Sequence, residues 1–344
     1  ALNGMIENGA NSAIIGNILE AAAEAAAEAA AVAAIGGFTG FTPTDIAKAK
    51  IEGLKAYQGY YQKAAKSTKD GAVDGLNSIF EGATPAQING IKETLDYLSD
   101  PTESKVTPEA FGQMLVEINK TKDTTSIEEK LAILEKYKNS YEKANTIDSL
   151  VPGGVAFGAS VPHSTAVNLL NGMISDDGAN SAIIGNMLEA AEAAAPGIVA
   201  KTPGKKADQA KIEELKAYQG YYKQAVDIDK TFNTASAAAA KATGKDASAP
   251  STAAKDSFAE MVGGGASSAV IAAIFTAADA AAADAAAKAA TTFDDKINGN
   301  KVRTDLFNEY KELYTKIKEI DGIGSGHDVA NIVNSMITDG ASCE

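Results

Sequence analysis

The 344-residue chain holds one cysteine, no tryptophan, two histidines and nine prolines, and its 45 acidic side chains outnumber 31 basic ones. The lone thiol, Cys343, excludes an intrachain disulfide framework. Two histidines with no cysteine beside them leave no cluster of metal-ligand spacing. A net charge of −14 argues against a nucleic-acid partner, because phosphate contacts require clustered Lys and Arg. It also disfavours an anionic membrane surface and fits a soluble protein or one that docks on a basic partner. The alanine run over 21–34 is broken by Glu24 and Glu28 and ends at Gly36-Gly37, too short and too charged to span a bilayer. The first residue is Ala1, so the chain is read as a mature form without its leader, or as a fragment. No phosphate-binding loop, dinucleotide fingerprint, HExxH or Cys-x-x-Cys occurs, and Gly322-Ile-Gly-Ser-Gly326 follows a helical pattern and reads as a connecting turn.

What is present is repetition. Asn3-Gly-Met-Ile-Glu-Asn-Gly-Ala-Asn-Ser-Ala-Ile-Ile-Gly-Asn17 returns almost intact at 171–186. This opening motif, an apolar pair, a small polar turn with Gly-Ala and then a helix, spans 2–19, 76–98, 170–188 and 258–275. A fifth copy, 332–344, is cut off in its middle. A second motif alternates with the first: Leu54/Tyr57/Tyr61, Leu134/Tyr137/Tyr141, Leu215/Tyr218/Tyr222 and Phe307/Tyr310/Tyr314. Spacings of three and four place each trio on one helical face. Met5, Met173 and Met336 mark an effective unit of about 165 residues, twice the alternating unit.

The expected fold class is therefore all-α: an alanine-rich helical repeat protein in two pseudo-symmetric halves, each of two alternating units. The divisions expected are 1–150, 151–321 and a truncated segment 322–344, with the first cut near Val151-Pro-Gly-Gly154. Glu20–Ala34 and Ala277–Ala290 are strong helix formers. Thr42 or Thr44 with Asp45 caps one helix, and Thr107-Pro108-Glu109 opens another. Residues 235–255, low in complexity, are expected to form a flexible linker. No alternating pattern of strand length appears.

Candidates for chemistry are few. His163 and His327 sit at equivalent places in the repeat and could supply one ligand or proton donor per half. Tyr57, Tyr61, Tyr218 and Tyr222 read first as core anchors. In a shell of small side chains they could also close the wall of an apolar ligand site and hydrogen-bond its polar tip. No nucleophile and base can be paired from the sequence, so an enzyme is not expected. Glu20, Glu24 and Glu28 share one face, which should be solvated or meet a basic partner.

The string Met5-Ile-x-x-Gly-Ala10 with Leu19-Glu-Ala-Ala-Ala-Glu-Ala, and Gly40-Phe-Thr-Pro-Thr-Asp45 after it, resembles peridinin–chlorophyll a proteins, soluble light-harvesting proteins of dinoflagellates. Lys105-Val-Thr-Pro-Glu109 and Lys301-Val-Arg-Thr-Asp305 echo the second element. The resemblance covers most of the chain as a pattern and implies an all-helical fold of two halves and a photosynthetic, plastid setting. That family's Ala-Glu-Ala helix carries histidines that hold chlorophyll through water, and the corresponding stretches here carry none. The expected function is accordingly a non-enzymatic structural or linker protein that stabilises a larger assembly, with a light-harvesting antenna as the setting. Its partners are proteins, and neither nucleic acid nor a transmembrane segment is expected. The alternative is a soluble carrier of carotenoid, or of chlorophyll, in which the histidines and tyrosines would contact pigment.

Overall fold

The computed structural model describes residues 1–35, 42–121, 124–151, 165–202, 204–243, 250–288, 295–321 and 328–338. Among them the fold is all-helical, with fourteen helices and no strand. By contacts between Cα atoms the chain divides into two units, Ala1–Ser149 with Gly153–Ile184, and Leu150–Pro152 with Gly185–Glu344.

The first unit contains α1 (Leu2–Glu7), α2 (Ser12–Ile35), α3 (Pro43–Lys66), α4 (Ala72–Phe80), α5 (Pro85–Ser99), α6 (Pro108–Thr121), α7 (Ile127–Leu150, all but its last residue) and α8 (Thr165–Ser175). It ends within α9 (Ser181–Lys201), after Ile184. The sequence division at 150 would have set α8 apart, whereas its packing on α6 places it here. Helix starts follow from local chemistry. Thr42 with Asp45 and Thr84 with Gln87 form capping boxes, each followed by proline at the first helical position. Ser126 and Glu129 form a third, with backbone N–H to side-chain oxygen distances of 2.8 and 3.2 Å.

The second unit holds the rest of α9, then α10 (Ala207–Thr243), α11 (Ala253–Gly263), α12 (Ser268–Lys288), α13 (Asp295–Asp321) and α14 (Asp328–Thr338). Residues 235–243, expected as linker, instead continue α10, because a run of alanines is helix-forming whatever its complexity. Ser251 at the far side is fixed too: its N–H donates to the Asn233 side chain at 2.7 Å, and its carbonyl accepts from Asn233 at 2.9 Å. By length and composition, Ser268–Ala285 of α12 would suffice to cross a membrane. In this fold its Val270, Ile271, Ile274 and Phe275 are buried core.

The four complete opening motifs share one turn. Gly9, Gly82, Gly178 and Gly265 all have positive φ, between 68° and 96°, which only glycine adopts without strain. Each is followed by a buried alanine: Ala10, Ala83, Ala179 and Ala266. The next residue, Asn11, Thr84, Asn180 or Ser267, caps the following helix with its side-chain oxygen. Ahead of the turn, Met5, Ile79, Met173 and Met261 are all completely buried. The helices approach closely at glycine: a Cβ on Gly75 of α4 would lie 2.0 Å from the Leu115 carbonyl oxygen on α6.

Candidate functional site

The tyrosine trios lie where their period puts them, in the core. Tyr57, Tyr61, Tyr137, Tyr141, Tyr218, Tyr222, Tyr310 and Tyr314 are all buried. Most of their hydroxyls with described partners are tied to the shared turn. Tyr218 donates to the Ala266 carbonyl at 2.9 Å and Tyr137 to that of Ala179 at 3.4 Å. In three of the four pairs the second tyrosine reaches an asparagine on the next opening helix: Tyr61 donates to Asn77 and Tyr141 to Asn171, both at 2.7 Å, and Tyr314 to Asn334. Each of those asparagines then donates to a carbonyl of a residue in the left-handed region: Gly9, Lys105 or Gly265. Burial holds the hydroxyls of Tyr61, Tyr141 and Tyr218 protonated, well above their ordinary range.

Carboxylates cap helices in the same manner, three of them buried (Asp148, Glu214 and Asp229). Asp148 accepts from the N–H groups of Ala166 and Val167 at 2.8 and 3.1 Å. Asp229 accepts from Ala254 and Lys255 at 3.0 and 2.9 Å, and burial raises its carboxyl above the usual range against those two bonds. Glu117 and Glu214 hold the first residues of α9 and α12, Ser181 and Ser268, through both N–H and hydroxyl. The sequence reading did not single out these acids. A signal was there: Ile147-Asp148 and Ile228-Asp229 each place the acid seven residues after the second tyrosine.

A cleft of about 650 Å³ lies in the second unit. Its apolar wall is α9, through Ala190, Ala193 and Ala194, and the opposite side is the turn Gly263-Gly264-Gly265. That turn is bare for steric reasons. A Cβ on Gly264 would stand 2.8 Å from the Tyr314 carbonyl oxygen, and one on Gly263 would stand 2.6 Å from the Asn186 amide nitrogen. The polar lining is amide groups, Asn186, Asn331 and Asn334, with the Lys318 ammonium and the carboxylates of Glu189 and Glu192. The volume lies within the range of sites for small molecules, and the composition, methyl and backbone walls with a few polar groups, suits a ligand with an apolar body and a polar end.

Of the residues expected from sequence, Tyr218 lines this cleft, with its hydroxyl already engaged. Tyr222 packs its ring on Phe258 at 5.5 Å between centroids. Tyr57 and Tyr61 belong to the first unit. His163, His327 and Cys343 lie outside the described residues. Among the described residues no three His, Cys, Asp or Glu side chains converge as a metal site would require.

No family model, no curated protein and no solved structure matches the chain.

Proposed function

We propose that the protein is a soluble, non-enzymatic carrier that holds an elongated or flat apolar molecule in the cleft of its second unit. The observation that carries this reading is the cleft itself: about 650 Å³, walled by Ala190, Ala193, Ala194 and three successive glycines, with an ammonium and amides to fix a polar end. Small side chains bring backbone and methyl surface against the ligand, where dispersion contacts accumulate over its length. The resemblance to peridinin–chlorophyll a proteins supports carotenoid or chlorophyll as the molecule carried and a plastid as the place. We read the shared Gly-Ala-cap turn as the mark of an internal duplication, with two pseudo-equivalent halves built of alternating units. Replacing the exposed Ala193 by tryptophan would fill the cleft without touching the core. Loss of ligand from a folded Ala193→Trp variant supports the reading, and undiminished loading refutes it.

The second reading, a structural or linker protein in a larger assembly, is favoured by one observation. On α14, Ile332 and Met336 are one turn apart and 61% and 55% exposed, whereas the corresponding Met5, Met173 and Met261 are buried. Paired apolar side chains on one exposed helical face suit a protein partner. Cross-linking of the native extract discriminates the two: this reading requires cross-links from α14 to another protein.

A further inference from the structure

α14 is held by less than its counterparts in the repeat. α8, α11 and α14 each carry the opening of a motif copy and have the same length, 11 residues. α8 buries seven of them and α11 five. Among the described side chains of α14, only Ala330 and Ile337 are buried, and Ile332 and Met336 stand 61% and 55% exposed. An isolated helix shorter than roughly 12–15 residues is marginal in water, so α14 depends on its seat. That seat is the glycine turn of the cleft. The Asn334 amide donates to the Gly265 carbonyl at 2.9 Å, and its oxygen accepts the Tyr314 hydroxyl. The Ala330 methyl lies 3.1 Å from where a Cβ on Gly265 would stand.

The same side of α14 lines the cleft, where Ala330, Asn331 and Asn334 share one space with the α9 alanines. The other walls are fixed without a ligand. Met187, Leu188 and Ala191 hold α9 in the core, all completely buried, and Tyr218 ties the turn through the Ala266 carbonyl at 2.9 Å. A molecule in the cleft therefore adds apolar contact where burial is scarcest, against α14. A ligand that binds only the seated arrangement stabilises it, and the seated fraction in turn sets the apparent affinity.

We propose that α14 is a ligand-dependent flap: a molecule in the cleft seats it, and its unseating opens one side of the cleft for exchange. The proposal rests on the carrier reading. The test adds Nile red, a neutral, flat dye with an apolar body and a carbonyl end, to the full chain. Dye fluorescence reads binding, and hydrogen exchange reads α14. At a dye concentration ten times its Kd, exchange over 329–338 should slow roughly tenfold, by the factor 1 + [L]/Kd, while α4 of the first unit keeps its rate. Ile337 is buried and lies outside the cleft lining, so Ile337→Ala loosens α14 without removing a ligand contact. It should weaken dye binding several-fold. Suppose the dye binds and is lost with Ala193→Trp, yet α14 exchange is unchanged or Ile337→Ala binds as tightly as wild type. The flap is then overturned and the carrier reading stands. No saturable binding, or binding that survives Ala193→Trp, defeats the carrier reading and the flap with it.

Discussion

The Tyr141 hydroxyl stands 2.7 Å from the side-chain oxygen of Asn171, the centre of a four-group network that ties α6, α7 and α8 together. The same oxygen accepts the Thr107 N–H at 3.1 Å, and the Asn171 amide donates to the Lys105 carbonyl, also at 3.1 Å. Asn171→Ala leaves three groups without their partner, the Tyr141 hydroxyl in the buried core and the Thr107 N–H and Lys105 carbonyl part-buried beside it. It should destabilise the protein by about 3 kcal/mol, whereas Tyr141→Phe, which removes one donor, should cost about 1–2 kcal/mol. Urea unfolding measures both, and a loss below about 0.5 kcal/mol for Asn171→Ala would show that the network is not a structural tie.

Two glycines on helices separate close packing from mere permissiveness. Gly75→Ala drives a Cβ to 2.0 Å from a backbone oxygen that cannot swing aside, so α4 and α6 must part, at about 2–3 kcal/mol. Gly90 of α5 has nothing within 4 Å of such a Cβ. Gly90→Ala should therefore stabilise by roughly 0.5–1 kcal/mol through helix propensity alone. Thermal unfolding midpoints should move in opposite directions.

Lys63 gives the stability a pH dependence of known sign. Its ammonium donates to the carbonyls of Leu98 and Ser99 at 3.0 and 3.1 Å, and burial lowers its pKa to about 8. The folded state thus gives up this proton before the unfolded chain does, whose lysines keep theirs to about 10.4. Between those values the unfolded state binds more protons, so stability rises with pH from about 8 toward 10. Above that, the tyrosines, held protonated by burial, act in the opposite sense. Unfolding free energy measured across this window should rise in the wild type and stay flatter in Lys63→Met. A fall in the wild type would contradict the assignment.

Much of the fold was legible because it is locally encoded. The Gly-Ala-cap turns, the tyrosine faces and the start of α3 rest on spacings of a few residues, and the structure places each as its period requires. Composition misled at 235–243, where low complexity signalled linker and alanine propensity made helix. The cleft was not legible. Ala190, Gly264, Lys318 and Asn331 are brought together by tertiary packing of α9, α11, α13 and α14, for which no sequence period exists. Nor could spacing tell Tyr57 from Tyr61: both sit on one buried face, and only the partner across the helix decides which hydroxyl is satisfied among the described residues.

The central claim is that the chain carries an apolar molecule, and the most direct measurement is made on protein isolated from its native source. A visible absorption spectrum, followed by solvent extraction and mass spectrometry of the same sample, reports whether a small molecule travels with the chain. The carrier account predicts one apolar species at a fixed ratio to protein, with carotenoid or chlorophyll bands if the resemblance holds to the level of ligand. A colourless protein whose extract contains no small molecule in stoichiometric amount would contradict it, and would leave the exposed face of α14 and its protein partner as the account to pursue.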